Sequence, residues 1–474
     1  MITLNKVSFS YKGGQEKSLH EVSLHIPKGQ CVLLCGVSGC GKTTITRLIN
    51  GLVPHFFEGD LSGEITVNGL DAKQADILKL SDIVGTVFQN PRTQFFNTDT
   101  DSEIVFGLEN RGLPSKVLSN RLERVNEELH TQNLCGRSIF ELSGGEKQKI
   151  AFASVYATSP DIFVLDEPSS NLDYHSINEL KSFIKKIKQQ GKTIVIAEHR
   201  LWYLMDIADR VIFMENGRLI SDMGINEFAG LSENEIENMG LRARSLSDIK
   251  LGKEDMDSEK KGFEVRDLTV KLGNKTILDD VSFRVSGGEI VAITGENGAG
   301  KTTLARALCG LNGEIGTISL GNEILSSKRR REGSYMVMQD VGHQLFTDSV
   351  DAECSLGVAK PIKENIDEVL TLLSLSKLKE KHPLSLSGGQ KQRLAVAVSM
   401  LCGKEILIFD EPTSGLDFDS MNEVGALIKR LAEEGKIIII ITHDREFIQT
   451  ICSRVMVLES GKIRNSFKED LSIS

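Results

Sequence analysis

The chain has 474 residues, too many for one ordinary hydrophobic core, and a prior of roughly 100–200 residues per domain suggests two to four domains, with two as the starting expectation. Its 56 Lys and Arg against 66 Asp and Glu leave a formal charge of −10, which disfavours a broad nucleic-acid footprint or an electrostatic hold on anionic lipid. No run approaches the ~18 apolar residues of a spanning helix, so a membrane role would need a protein partner.

The eight cysteines form no CxxC pair, and they are expected to be small buried hydrophobes in a reducing compartment rather than a disulfide or zinc frame. Met1-Ile2-Thr3-Leu4 runs straight into an alternating strand pattern with no signal segment, so a soluble intracellular protein is expected.

In chain order, the pattern from Ile2 to Ile26 predicts two β segments with a turn at Lys12-Gly13-Gly14. Gln30 to Cys35 is an apolar run suited to a buried parallel strand, and a glycine-rich turn and a helix follow. Asp71 to Gln132 mixes turns with helical stretches, of which Arg121 to Leu129 is charged enough to be expected largely at the surface. Ile150 to Tyr156 reads as helix, Asp161 to Leu165 as buried strand, Ser176 to Gln190 as helix and Thr193 to Ala197 as strand. A β pair, Val211 to Met214 and Arg218 to Ser221, closes this mixed α/β unit. Lys250 to Lys261 is charged and poor in large apolar residues, as a linker should be.

The chain then starts again. Lys42 and Lys301 are 259 positions apart, Gln89 and Gln339 are 250 apart, and the pairs Ser143/Ser387, Asp166/Asp410 and His199/His443 are each 244 apart. The constant last offset marks one rigid repeated block, with length differences confined to the stretch before it.

Three motifs carry chemistry. Gly36-Val37-Ser38-Gly39-Cys40-Gly41-Lys42-Thr43 and Gly295-Glu296-Asn297-Gly298-Ala299-Gly300-Lys301-Thr302 both fit GxxxxGK[ST], each between an apolar strand and a helix. Glycines let the backbone curl its N–H groups toward phosphate oxygens, the lysine adds charge, and the threonine hydroxyl can bind Mg²⁺. Ile162-Phe163-Val164-Leu165-Asp166-Glu167 and Ile406-Leu407-Ile408-Phe409-Asp410-Glu411 each run an apolar strand into two acids, one suited to a Mg²⁺ shell and the next to a water for in-line attack on a γ-phosphate. Leu142-Ser143-Gly144-Gly145-Glu146 and Leu386-Ser387-Gly388-Gly389-Gln390 look like tight turns opening helices, where bare N–H groups hold an anion.

With these motifs the chain resembles the ABC ATPase family over nearly its whole length. The specific marks are LSGG[EQ] and the ordered sets Gln89, Asp166-Glu167, Ser170-Asn171-Leu172-Asp173, His199 and Gln339, Asp410-Glu411, Ser414-Gly415-Leu416-Asp417, His443. The resemblance implies an α/β fold of two tandem P-loop ABC-type ATPase domains, each with a mixed α/β core, an antiparallel β subdomain and a helical subdomain. Domains are expected at 1–235 and 263–474, with a charged linker at 236–262.

It further implies a head-to-tail pairing of the two domains, each ATP lying between one half's P-loop and the other half's signature. Lys42, Thr43, Gln89, Asp166, Glu167 and His199 would face Ser387-Gly388-Gly389, and Lys301, Thr302, Gln339, Asp410, Glu411 and His443 would face Ser143-Gly144-Gly145. Thr44 and Thr303, next to the P-loop threonines, are included in nucleotide binding, and Gln89 and Gln339 join Thr43, Asp166, Thr302 and Asp410 at Mg²⁺. In the resemblance Glu167 and Glu411 polarise the lytic water, His199 and His443 contact the γ-phosphate, and the glutamines relay closure to a partner. Tyr11 stands where the family places a ring against adenine, and Leu272 is its counterpart, so weaker binding is expected at the second P-loop.

The stretches Gln89-Asn90-Pro91-Arg92-Thr93-Gln94-Phe95-Phe96 and Gln339-Asp340-Val341-Gly342-His343-Gln344-Leu345-Phe346 share a second glutamine five residues on and a following aromatic. This is similar to the ATPase subunits of energy-coupling factor importers, which take up micronutrients such as vitamins or cobalt and nickel ions. That likeness implies an ATPase peripheral on the cytoplasmic face of a membrane, bound to a transmembrane coupling protein and a substrate-capture component, with no nucleic acid. The competing reading is a soluble twin-ABC ATPase acting on ribosomes or DNA, for which Lys328-Arg329-Arg330-Arg331 is the one basic cluster.

Overall fold

A computed structural model describes residues 1–13, 17–170, 172–246, 261–356, 358 and 363–465. The chain divides into two compact units, Met1–Ser245 and Leu246–Ser474. The first carries β1 (Ile2–Tyr11), β2 (Leu19–Ile26), β3 (Cys31–Cys35), β4 (Gly59–Val67), β5 (Leu70–Asp71), β6 (Val84–Val87), β7 (Ile162–Asp166), β8 (Thr193–Ala197), β9 (Arg210–Glu215) and β10 (Arg218–Gly224). They form an antiparallel sheet ordered β2-β1-β4-β5 and a six-stranded sheet ordered β10-β9-β3-β8-β7-β6, parallel except for β10.

The sequences of these strands match their surroundings. β3, β7 and β8 read CVLLC, IFVLD and TIVIA and are buried at every position, because both faces of the parallel sheet are covered. β2 and β10 alternate between sheltered and exposed residues, as strands with one wet face do. Within β3 the side chains divide: Val32 and Leu34 join a core shared with β1, β2 and β4, while Cys31, Leu33 and Cys35 join the core under the helices.

The second unit repeats this plan with β11 (Gly262–Leu272), β12 (Lys275–Ser286), β13 (Ile290–Thr294), β14 (Ile315–Leu320), β15 (Glu323–Ile324), β16 (Ser334–Val337), β17 (Ile406–Asp410), β18 (Ile437–Ile441), β19 (Arg454–Glu459) and β20 (Lys462–Asn465). Its sheets run β12-β11-β14-β15 and β16-β17-β18-β13-β19-β20, the same order of equivalent strands.

Local departures from expectation have packing causes. Arg121 to Leu129 is the end of a helix, Ser115–Leu129, whose Val125, Asn126 and Leu129 are buried, so this charged stretch is amphipathic rather than a surface face throughout. The helix Glu233–Asn238 opens with a capping box at Ser232, and Ile236 and Leu241 pack in the first unit's core. The first unit therefore continues past residue 235 to Ser245. Lys261 already bonds Glu405 Oε1 at 3.1 Å and β11 begins at Gly262, while residues 247–260 of the expected linker, with Gly14 of the expected turn and Asn171, lie outside the described residues. Six cysteines are buried, Cys402 is half-buried and Cys135 is exposed, and none is paired. Burial pushes the Cys31 and Cys35 thiols up to about 12, consistent with packing rather than reactivity.

Candidate functional sites

Each P-loop joins a buried strand to an eight-residue helix, Lys42–Ile49 or Lys301–Leu308. Gly36 and Gly295 have φ of 142° and 147°, and a Cβ on either would overlap a backbone carbonyl oxygen, that of Met214 or Leu458. The loop is thus pressed against β9 or β19, which no residue but glycine permits. Gly41 and Gly300 cap the helices in left-handed conformation without any side-chain cap, leaving the first helical N–H groups to an anion. Both lysines are buried and fold over their own loops. Lys42 Nζ donates to the carbonyls of Gly36 (2.8 Å) and Val37 (3.2 Å), Lys301 Nζ to those of Gly295 (2.6 Å) and Glu296 (2.9 Å). Each ammonium is thereby held over its own loop.

The acid pairs end β7 and β17 beside these loops. Asp166 accepts the hydroxyls of Thr43 (3.3 Å) and Thr46 (3.4 Å), and Asp410 accepts that of Thr302 (3.1 Å). Burial raises both carboxyls, and the neighbouring Glu167 charge adds to the rise of Asp166, to about 6. A buried carboxylate penalised in this way, with a hydroxyl at hand, suits a divalent cation. Among the described residues no group of three or more His, Cys, Asp or Glu could hold a metal, so the donor set fits Mg²⁺ only when phosphate oxygens and water complete its shell.

Glu167 and Glu411 adopt left-handed backbone, φ 46° and 52°. Such a conformation costs a non-glycine residue on the order of 1–3 kcal/mol and survives where surroundings over-determine it. Here the amides of Glu167 and Glu411 bond the carbonyls of Ala197 and Ile441, each at 2.8 Å, at the ends of β8 and β18. The turn swings each carboxylate toward its histidine: His199 Nε2 lies 3.5 Å from Glu167 Oε1 and His443 Nε2 3.7 Å from Glu411 Oε1. Gln89 Nε2 donates to Glu167 Oε2 at 2.6 Å, whereas in the second unit the donor to Glu411 Oε2 is the Thr442 hydroxyl at 3.0 Å. Sequence reasoning missed Thr442, although its position next to His443 was a usable signal.

The signature turns open the helices Gly144–Thr158 and Gly388–Leu401. The expectation of bare donors is corrected here, because each serine forms a capping box. The Ser143 hydroxyl accepts the Glu146 amide at 3.3 Å and Glu146 Oε2 accepts the Ser143 amide at 2.8 Å; Ser387 and Gln390 exchange the same bonds at 3.3 and 3.0 Å. The amides of the two glycines remain for a ligand. Although burial alone would raise it, the Glu146 carboxyl is held below the usual range by bonds from Ser143 and Arg137.

Tyr11 ends β1 with its hydroxyl fixed by Arg47 Nη1 (2.9 Å) and Thr44 Oγ1 (3.3 Å). The Arg47 guanidinium lies 4.0 Å from the centroid of Phe57, whose ring meets Tyr11 edge-on at 6.2 Å. Arg47 and Phe57 were not foreseen. Leu272, at the end of β11, is 53% exposed.

Around the glutamine loops, the shared second glutamines are braces. Gln94 accepts the Phe88 amide and bonds the Ala151 carbonyl, both at 3.3 Å, and Gln344 ties Met338 (2.7 Å) to Met336 (2.6 Å). Buried Glu103 accepts the amides of Phe96 (3.0 Å) and Asn97 (2.8 Å), and buried Glu353 those of Phe346 (3.0 Å) and Thr347 (2.9 Å). The result in each unit is a phenylalanine 75% exposed on a backbone hydrogen-bonded to a buried glutamate. The basic cluster is partly absorbed by its own unit, with Lys328 and Arg329 still exposed. Arg330 is buried against Glu314, Arg331 bonds the Gly310 carbonyl (2.7 Å), and Arg329 and Lys328 face Glu323 (3.0 Å) and Glu332 (4.0 Å).

A family model described as ABC transporter matches residues 19–170 and 278–414. A protein of Treponema denticola named "Putative ABC transporter ATP-binding protein" is 69% identical over 470 residues, covering 98% of this chain and 96% of its own. One of Methanosarcina mazei with the same name is 34% identical, covering 99% and 97%. Among solved structures, a chain from a model of ribosome-bound archaeal Pelota and ABCE1 aligns with TM-score 0.69 and 23% identity, over 94% of this chain and 75% of that one. At that identity the likeness concerns the fold.

Proposed function

The chain belongs to the ABC transporter family as an ATPase with two fused ATP-binding units, and from that premise we propose that it energises a membrane importer of the energy-coupling factor type. The cargo would be a micronutrient, a vitamin or a transition-metal ion. The observation that carries this reading is the pair of phenylalanines, Phe96 and Phe346, each 75% exposed and held by a buried glutamate beside a glutamine loop. Exposed aromatic anchors on a stiff backbone suit docking of a hydrophobic partner element. Among the described residues no helix is long and apolar enough to cross a membrane, so the spanning segments would come from the partner. The ribosomal or nucleic-acid reading has less support, because Arg330 of the basic cluster is buried against Glu314 and Lys328 and Arg329 face acids of their own unit.

Each nucleotide's phosphates would lie in the loop of Lys42 or Lys301, with Ser387-Gly388-Gly389 or Ser143-Gly144-Gly145 of the other unit closing over it. Mg²⁺ would be held by Thr43, Asp166 and Gln89, or by Thr302, Asp410 and Gln339, and would supply charge neutralisation at the phosphates. Glu167 and Glu411 would polarise the attacking water, and His199 and His443 would contact the γ-phosphate. ATP would favour a closed pairing if it touches both units only there, and hydrolysis would remove that bridge. The chain would sit on the cytoplasmic face of the membrane, bound to a transmembrane coupling protein and a substrate-capture component.

The test is purification from membranes with mass spectrometry of what co-elutes. Polytopic membrane proteins are expected with the wild-type chain and are lost with Phe96→Asp/Phe346→Asp, while ATP binding persists. Co-sedimentation with ribosomes, or salt-sensitive nucleic-acid binding, would overturn the reading.

A further inference from the structure

The turns carrying the two histidines are built from different residues. Glu198, His199 and Arg200 follow β8, and Thr442, His443 and Asp444 follow β18 at the same offset of 244. In the second unit the Thr442 hydroxyl donates to Glu411 Oε2 (3.0 Å) and accepts the Asp444 amide (3.1 Å). Asp444 accepts the Thr413 hydroxyl at 2.7 Å, from the loop that follows Glu411. Thr442, Thr413 and Asp444 are all buried, so this hydroxyl has few competing waters.

In the first unit the residue at the Thr442 position is a buried acceptor. Glu198 takes the amides of His199 (2.8 Å), Arg200 (3.2 Å) and Ser169 (3.3 Å) and the Tyr203 hydroxyl (2.8 Å). Arg200 Nη1 reaches the carbonyls of Ser169 (3.1 Å) and Leu172 (3.3 Å). The loop after Glu167 is therefore tied to the histidine turn as in the second unit, here by bonds of both polarities. The turn supplies no counterpart to the threonine hydroxyl. Glu167 Oε2 instead accepts from Gln89, an exposed residue seven positions before Phe96. Among the described residues the Gln339 side chain reaches no hydrogen-bond partner.

We propose that Thr442 is a positioning residue for Glu411 and that Gln89 takes this part in the first unit, so that only the first unit's glutamate is oriented by a loop lying on the exposed surface. A partner that shifts the two glutamine loops would then change hydrolysis at Glu167 directly, while Glu411 keeps its orientation from within its own unit. The inference rests on reading Glu167 and Glu411 as the groups that polarise water.

The test uses the purified full chain, with kcat and KM for ATP turnover and ATP affinity measured separately at equilibrium. Thr442→Val and Thr442→Ala each lower kcat about 2- to 10-fold, the range of one net hydrogen bond, with KM and ATP affinity unchanged, and Thr442→Ser restores it. Gln89→Ala lowers kcat by several-fold more than Gln339→Ala. Wild-type kcat in folded Thr442→Val and Thr442→Ala, or equal losses in the two glutamine variants, overturns the proposal. If the apolar variants fail to fold, Thr442→Ser and the two exposed glutamines still decide it. Wild-type turnover in Glu167→Gln and Glu411→Gln would sink the reading of the glutamates; losses there without losses at Thr442 would sink this proposal alone.

Discussion

In the first unit the signature helix opens on Ser143 with the charged Glu146 folded back over it; in the second, Ser387 is served by the neutral Gln390. Tyr11, clamped by Arg47, stands opposite in role to the exposed Leu272, and Glu198 to Thr442. Against these differences, the strand order, the glycines pressed on β9 and β19 and the left-handed glutamates are the same in both. The lesson is that backbone geometry at the phosphate loop and the glutamate is invariant across the repeat, while the side chains that steer it have diverged.

The largest expected effect asks whether that divergence reaches the chemistry. Glu167→Gln and Glu411→Gln should each reduce ATP turnover by roughly 10²–10⁴ if each glutamate acts as base. Steady-state phosphate release measures this, and wild-type turnover after one of the changes would make that unit's site non-catalytic.

A second test concerns stability and the cation. Burial and then Glu167 raise the Asp166 carboxyl from 3.8 to about 6. Between these values the folded chain binds a proton that the unfolded chain has released, so stability falls as pH rises through this window, and the full cost is present above it. Asp166→Asn should therefore stabilise the nucleotide-free chain at neutral pH by up to about 3 kcal/mol and give no such gain below about pH 3.5, while turnover drops. Thermal unfolding at both pH values, without divalent cation, checks this, and equal effects at the two would remove the electrostatic explanation.

The smallest effect sharpens the contrast of Tyr11 with Leu272. Aromatic contacts of this kind are worth about 1 kcal/mol, or roughly fivefold in affinity. Leu272→Tyr should tighten nucleotide binding at the second P-loop by that factor and Tyr11→Leu should loosen it at the first, read by equilibrium titration. An unchanged affinity in Leu272→Tyr would mean that another group already covers the base.

Much of this was legible in the sequence, because the phosphate loop restricts residue type. Gly36 and Gly295 must be glycine to pass a carbonyl, and the offset of 244 from Ser143 to His199 admits no insertion within a block that packs as one. The left-handed turns at Glu167 and Glu411 were not legible, since glutamate carries no local preference for that conformation and only the carbonyls of Ala197 and Ile441 impose it. Charge density misled at two places. Leu241 lies among polar residues yet packs in the core, and Arg330, in a run of four basic residues, is a buried brace for Glu314. In both, a long-range partner decided what composition could not.

β3 and its counterpart give their side chains to two cores at once. A strand shared in this way is among the last to open when a protein fluctuates, and its amides should exchange with solvent only on global unfolding. The loop bearing Lys42 is thus mounted on a strand anchored in two cores, whereas the turns that carry Gln89 and Phe96 lie at the surface. A nucleotide bound at that loop would then come and go without loosening the strand that carries it.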